Sequence, residues 1–371
     1  HSLVGSEMCI RDSPVRGNLG IRVVDTDVTS IGYRSEFVIV ADPVTGELSF
    51  ETTGELESDT ARHNYTEALP SFNFVMDYTD DIVFRAGIFR GLSRADPGDM
   101  GFQRAFQVAD EDDDPTEIDA LITGVTGSGN PYADPLTSWN YDLSVEWYPN
   151  EDSILAATVY HKAFKGGFVN TVVEEQYDID GALLAFPIVL QQTSDDTSNL
   201  TGIEITASHN FSWLPGFWSG FGAKVSYNYA DSDFEFEDSL YGDRGTVNSS
   251  GNFVQTHEGI IGSGNVPGFS ENTYSGQLYY QVGDFDGSLI YKYRSEYFQP
   301  YTSNGTRLRY VGDVGVWEAR ASYYVTDNIR LSVEAINVLD EPKAQYFFTD
   351  DNLGEVNYYG PRIFFGLRAK F

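Results

Sequence analysis

Apolar and polar residues alternate with a period of two from one end of this chain to the other, and the links between alternating stretches are short and long by turns. In the last stretch Tyr359, Ile363, Phe365, Leu367, Ala369 and Phe371 share one face, and Gly360, Arg362, Gly366, Arg368 and Lys370 the other. Trp317, Ala319, Ala321, Tyr323 and Val325 alternate with Glu318, Arg320 and Ser322. Phe221, Ala223, Val225, Tyr227 and Tyr229 alternate with Gly222, Lys224, Ser226 and Asn228. Ile203, Ile205 and Ala207 alternate with Glu204, Thr206 and Ser208, and Tyr141, Leu143, Val145 and Trp147 with Asn140, Asp142, Ser144 and Glu146. Successive side chains on a strand point to opposite faces, so each stretch reads as a strand with one apolar face. No helical period competes.

Short turns fall at 79–81, 149–152, 214–216, 284–287 and 326–328, and long polar segments at 30–62, 97–137, 169–195, 233–268, 300–312 and 340–356. Short links on one side and long ones on the other are the pattern of a transmembrane antiparallel β-barrel with periplasmic turns and extracellular loops. We expect about twelve strands of ~10 residues, the length a tilted strand needs to span a bilayer. An even count returns the last strand to the short-turn side. The rival is a soluble all-β protein, a propeller or a sandwich, whose links rarely keep this asymmetry.

Composition agrees. Mean hydropathy is −0.30, and no apolar run approaches the ~18 residues of a membrane helix. The longest candidate, 181–190, is interrupted by Pro187. In a barrel only alternate residues face lipid, so the average stays polar. Aromatic residues make up 15% of the chain, and Tyr141, Trp147, Tyr148, Tyr323, Tyr324, Tyr358 and Tyr359 stand near strand ends, where interfacial girdles form. The net charge of −33 excludes nucleic acid as a default partner. The acidic run at 110–114 reads as a solvated loop, with no EF-hand spacing for calcium. Residues 1–13, which contain the single cysteine, Cys9, share no pattern with the rest and resemble a translated adaptor. We therefore read 14–371 as the barrel, and the missing export signal as a mark of truncation.

With the apolar face toward outer-membrane lipid, the lumen receives Arg22, Asp77, Arg85, Asp142, Glu146, Glu204, Lys224, Lys292, Arg294, Glu296, Glu318, Arg320, Arg330, Glu334, Arg362 and Arg368. A charge-selective pore would favour one sign. A mixed wall suits either polar contact with a folded plug or pairing of the charges across strands.

Several stretches together resemble the barrel of TonB-dependent receptors, particularly their glycan-associated branch. They are Gly17-Asn18-Leu19-Gly20-Ile21-Arg22 with Thr26, Leu69-Pro70-Ser71-Phe72-Asn73, Ala86 to Arg94, and Gly129-Asn130-Pro131 leading to Trp139-Asn140-Tyr141-Asp142-Leu143. Glu334-Ala335-Ile336-Asn337-Val338-Leu339-Asp340 and Tyr359-Gly360-Pro361-Arg362 complete the set. Ala95 stands where the family often has Pro. The resemblance implies the last twelve or so strands of a barrel of 22, with the plug and the TonB-contacting segment absent. It also implies a bacterial outer-membrane importer without a bound cofactor, working with its own plug, the TonB complex and an extracellular nutrient. Arg85, Glu146, Glu204, Arg294, Glu318, Arg320 and Arg362 become candidates to face the plug, and Phe371 a signal to the barrel assembly machinery.

For the nutrient, the aromatics in or beside long links are the candidates: Tyr132, Trp139, Tyr241, Phe253, Tyr301 and Tyr310. Sugar rings stack on such faces, and the resemblance favours an oligosaccharide over the alternatives of a siderophore or cobalamin. Enzymatic activity is not expected. His1, His63, His161, His209 and His257 are isolated, none has metal-ligand spacing, and no G-x-S-x-G elbow occurs.

Overall fold

The computed structural model describes residues 14–109, 114–165, 168–241, 244–247, 253–257, 260–299, 309–347 and 349–370. Twelve strands form one sheet in chain order. They are β1 (Val15–Ala41), β2 (Leu48–Asp77), β3 (Ile82–Ser93), β4 (Leu136–Asn150), β5 (Ser153–Lys165) and β6 (Thr197–Asn210), then β7 (Phe221–Ser232), β8 (Asn272–Val282), β9 (Phe285–Arg294), β10 (Val314–Thr326), β11 (Ile329–Ile336) and β12 (Arg362–Ala369). Every neighbouring pair is antiparallel. The outer edges of β1 and β12 carry no partner strand among the described residues.

Register sorts the side chains as the alternation requires. Leu289, Ala319, Ala335 and Ile363 line up across four strands on one face, and Ser288, Arg320, Glu334 and Phe364 on the other. The first face is apolar and open: Leu19 is 68% exposed and Phe365 85%. An exposed apolar area of this extent on a folded sheet needs a non-aqueous partner. The second face carries charges that pair across strands: Arg16 with Asp77, Arg85 with Glu146 at 2.8 Å, Arg320 with Glu334 at 2.8 Å and Arg330 with Asp286 at 2.8 Å.

Two connections differ from expectation. Segment 30–62, expected as a loop, is mostly strand: β1 and β2 stay paired from Val15↔Met76 to Ala41↔Leu48 and turn only over 42–47. Thr, Ser and Glu lowered the hydropathy there while the extended backbone continued, because sheet pairing needs no apolar face once outside a membrane. At ~3.3 Å per residue the hairpin reaches about 40 Å past the shorter strands. Asp42 closes it, its Oδ1 accepting from the amides of Val44 (2.7 Å) and Thr45 (2.9 Å). The second is the short turn expected at 214–216, which is the ten-residue link 211–220 with a 3-10 turn at Gly216–Gly220.

The outer links fold on one another. Paired strands Gln103–Val108 and Ile122–Ser128, and the hairpin Phe168–Ile179 with Ala182–Thr193, pack against the projecting β1–β2 hairpin. Their core is Leu121, Ile122, Val125, Ile179, Phe186, Ile188 and Leu190, with Phe37, Phe50 and Phe106 against it. Complete burial of a side chain such as Ile188, 1% exposed, stabilises by ~1.5–3 kcal/mol. Gly32 admits the strap that crosses β1: a Cβ there would lie 1.5 Å from the Phe102 carbonyl oxygen. Inside the body, Arg104 (side chain 1% exposed) donates to both carboxylate oxygens of Glu175 at 2.9 and 2.8 Å. The Tyr177 hydroxyl donates to the same carboxylate at 2.6 Å. Farther along, Tyr297–Phe298, Arg309–Val311, Lys343–Phe347 and Leu353–Asn357 make a four-stranded sheet.

Candidate functional site at the outer end of the lumen face

Where β9 to β12 meet that four-stranded sheet, the charged face of the wall opens into a cavity of about 710 Å³. Lys292, Arg294, Glu318 and Arg362 reach it from the wall, and Glu341 and Lys343 from the link after β11. Four cations against two carboxylates make this an electropositive notch in a chain of net charge −33. Lys292 holds Glu318 at 2.8 Å, and that carboxylate is almost fully buried. Arg294 donates to Ser270 Oγ (2.9 Å) and the Gly268 carbonyl (2.8 Å) and lies 3.8 Å over the Tyr297 ring. Arg362 and Lys343 make no ion pair among the described residues. Two unpaired cations beside a recess offer charge-assisted hydrogen bonds to an anion.

The stretch Glu334 to Asp340 forms the rim. Asn337 (φ 57°) and Asp340 (φ 54°) adopt the left-handed conformation, which Asn and Asp tolerate best among residues with a side chain. The Asn337 side chain brackets the Glu341 backbone, accepting from its amide at 2.8 Å and donating to its carbonyl at 3.1 Å. Asp340 Oδ1 accepts from the Gly360 amide at 3.0 Å, tying the end of β11 to the start of β12. The motif is a clasp that positions Glu341 and Arg362 at the mouth.

Of the seven residues expected to face a plug, all lie on the charged face. Arg85 and Glu146 are bound to each other, and Arg320 bridges Glu334 and Glu318. Glu204 stands opposite Asn228 and Thr158. Arg294, Glu318 and Arg362 line the cavity.

Of the six candidate stacking aromatics, the three whose side chains are described, Trp139, Tyr132 and Tyr310, are not brought together. Trp139 lies in β4 on the apolar outward face, stacked on Tyr141 at 6.4 Å. Tyr132 packs edge-on against His63 at 6.2 Å. Tyr310 is stacked on Tyr346 at 5.3 Å, inside the four-stranded loop sheet. Tyr241 ends the strand Phe236–Tyr241 and Phe253 opens Phe253–His257. Tyr301 and Phe371 lie outside the described residues. None of Trp139, Tyr132 and Tyr310 lines the cavity, whose rings are Tyr293, Tyr297 and Tyr359. Lys343 and Glu341 escaped sequence reasoning because they fall in a link read as polar filler; an isolated Lys in so acidic a chain was the available signal.

One pairing has the look of a catalytic dyad: Ser153 Oγ lies 2.7 Å from His209 Nδ1. The other ring nitrogen, Nε2, accepts from Trp213 Nε1 at 3.1 Å, so the proton sits on Nδ1 and is donated to the serine. A histidine so held cannot take the serine proton, and the pair acts as a tether for the turn that follows β6.

A twelve-stranded antiparallel meander, apolar outside and charge-paired inside, with short turns at one end and folded links at the other, defines the wall of an outer-membrane β-barrel. The chain belongs to the TonB-dependent receptor family: the description "TonB dependent receptor-like, beta-barrel" matches residues 8–338. A comparison with curated proteins gives no match. Among solved structures, the copper transporter OprC is 13% identical with a TM-score of 0.55, over 97% of this chain and 46% of its own. The siderophore receptor PiuA from Acinetobacter baumannii is 13% identical (TM-score 0.54; 97% of this chain, 42% of that one). A ferric enterobactin receptor mutant, PfeA of Pseudomonas aeruginosa in complex with enterobactin, is also 13% identical (TM-score 0.53; 99% and 53%). The chain thus spans about half the length of the structures it resembles. The family and these neighbours are outer-membrane transport receptors, and the wall described here is an outer-membrane wall.

Proposed function

We propose that this chain forms part of the barrel of a receptor that imports a nutrient across the outer membrane by TonB-driven transport, and that the nutrient is an anionic chelate of the siderophore class. The observation that carries the substrate class is the cation excess of the cavity, with Arg362 and Lys343 unpaired at its mouth. Overall acidity argues against an anionic ligand only at long range. Over distances within a Debye length, about 8–10 Å, the local charges decide. In this reading the outward face meets lipid, the paired lumen charges face a plug, and the last strand is read by the barrel assembly machinery. PiuA is a siderophore receptor and PfeA a ferric enterobactin receptor, which supports the reading.

The glycan reading depends on ring stacking, and the described candidates Trp139, Tyr132 and Tyr310 lie apart. A panel decides between them. Titrated calorimetrically, the receptor is expected to bind a ferric siderophore and no neutral oligosaccharide. Charge reversal of both cations, Arg362→Glu with Lys343→Glu, removes charge-assisted bonds worth ~1.5–3 kcal/mol each, so affinity should fall at least roughly tenfold. Tight binding of a neutral oligosaccharide, with no chelate bound, overturns the substrate class and restores the glycan reading.

A further inference from the structure

The link between β6 and β7 is unlike the other turns at its end of the wall. Those at 78–81, 151–152, 283–284 and 327–328 are two to four residues long, and each contains at least one carboxylate. The link 211–220 has ten residues. From Phe211 to Phe221 it reads FSWLPGFWSGF, with no charged residue and five aromatic rings. Five of these eleven residues are aromatic in a chain that is 15% aromatic.

Its rings are uncovered. Trp213 is 69% exposed, Phe217 60% and Trp218 58%. They lie on the lipid side of the wall: Phe217 packs 4.8 Å from Tyr280, and Trp218 is stacked 5.7 Å from Phe221. Phe221 and Tyr280 are cross-strand partners in the outward row that continues through Ala223 and Leu278. The aromatic patch is therefore continuous with the outward apolar face.

Several polar groups of the link are satisfied locally, and the Ser212 hydroxyl donates to the Asp152 carboxylate. The Phe211 amide donates to the Phe221 carbonyl (2.9 Å), Leu214 to Phe211 (2.9 Å) and Trp218 to Pro215 (3.3 Å), while Ser219 Oγ donates to the Gly216 carbonyl (2.7 Å). The Trp213 indole is spent on His209 (3.1 Å), itself held by Ser153. Internal satisfaction of polar groups is the condition for leaving water.

We propose that the link 211–220 is a wedge embedded in the phospholipid interface of the periplasmic leaflet, with Phe217 and Trp218 among the acyl chains just below the headgroups. Indole and phenyl rings favour that depth. The wedge fixes the height of the β6–β7 rim relative to the bilayer.

The test reconstitutes the receptor, with Trp218 as its only tryptophan and Phe at every other tryptophan position, in phosphatidylcholine vesicles brominated near the glycerol end of the acyl chains. A parallel variant keeps only Trp147, which sits on the outward face of β4 near the same rim. Trp218 emission is expected to fall in brominated vesicles to the same fraction as that of Trp147, and to resist iodide in the aqueous phase. Quenching of Trp218 by iodide but not by bromolipid overturns the proposal in favour of a solvated turn. Protection from both overturns it in favour of a protein cover, a partner or a second copy. Failure of bromolipid to quench either tryptophan overturns the lipid-facing wall along with the wedge. Should the tryptophan replacements impair folding, a nitroxide at Ser219→Cys, with Cys9→Ser, supplies the same reading: oxygen should broaden its signal more than a water-soluble nickel chelate, and the reverse order overturns the wedge.

Discussion

Exported to the outer membrane on its own, this chain is expected to support no energised uptake at all. Among the described residues the twelve-stranded sheet is open, with no strand paired to the outer edge of β1 or β12. Hydrocarbon offers no partner for the amides and carbonyls of a strand edge, and each one left unsatisfied costs several kcal/mol. Over the ~10 residues that a strand needs to cross, that penalty exceeds the entire stability of an ordinary domain. Closing the sheet on itself would force a narrower barrel with a different tilt and shear. A closed wall on this account needs further strands, and the structures that this chain resembles are about twice its length. Radiolabelled chelate uptake, measured with and without a proton-motive force, checks this. Energised uptake by this chain alone would show that the sheet closes and works unaided.

The second large effect concerns the folded outer body. Arg104→Leu leaves the Glu175 carboxylate half-buried without its cation, and breaking a buried pair in this way costs ~3–5 kcal/mol. The lower end applies, since the Glu175 side chain is 18% exposed. Burial pushes the Glu175 carboxyl up, but hydrogen bonds from Arg104 and Tyr177, with the Arg104 charge, outweigh it and hold the group below its ordinary value. Burial and the neighbouring carboxylate push the Tyr177 phenol up, so it stays a donor. A carboxylate depressed in the folded state stabilises fully above its unfolded pKa, about 4.3. That contribution is lost as pH falls through the lower, folded value. The body should therefore hold firm at neutral pH and loosen only in acid below about pH 4. Hydrogen exchange over 103–128 and 168–193, corrected for intrinsic rates, is the readout. Arg104→Leu should speed exchange there at neutral pH while β9–β12 keep theirs, and Glu175→Gln should flatten the acid dependence. Unchanged protection in the leucine variant would mean that the apolar core alone holds the body.

The wall was legible because a membrane strand must alternate and must have a nearly fixed length, and both demands are written into local sequence. Ala319 and Ile363 were placed on apolar faces by alternation alone, and the register sets Leu289 and Ala335 in the same row. Projecting strands such as 30–41 and 48–62 were not legible, since outside the bilayer a paired strand may be polar on both faces and then looks like a loop. The cavity was harder still. Lys292 and Arg362 were placed on the lumen face, yet what joins them to Lys343 is the left-handed turn at Asn337 and Asp340, whose motif was visible while its hydrogen bonds to Glu341 and Gly360 were not. Trp139 was singled out for its place beside a long link, and the register adds that it shares the outward parity of Tyr141 and Leu143.

The central claim is that the long links of this wall face the outside and the short turns the periplasm, so that the cavity opens toward arriving nutrient. Cysteine labelling in intact cells tests it most directly. Val44, 90% exposed in the turn between β1 and β2, and Asp327, in the turn between β10 and β11, are each replaced by cysteine in the receptor with Cys9→Ser. A bulky, membrane-impermeant maleimide is then added before and after the outer membrane is permeabilised. The account predicts that Val44→Cys is labelled in intact cells and Asp327→Cys only after permeabilisation; labelling of Asp327→Cys in intact cells, with Val44→Cys protected, would contradict it.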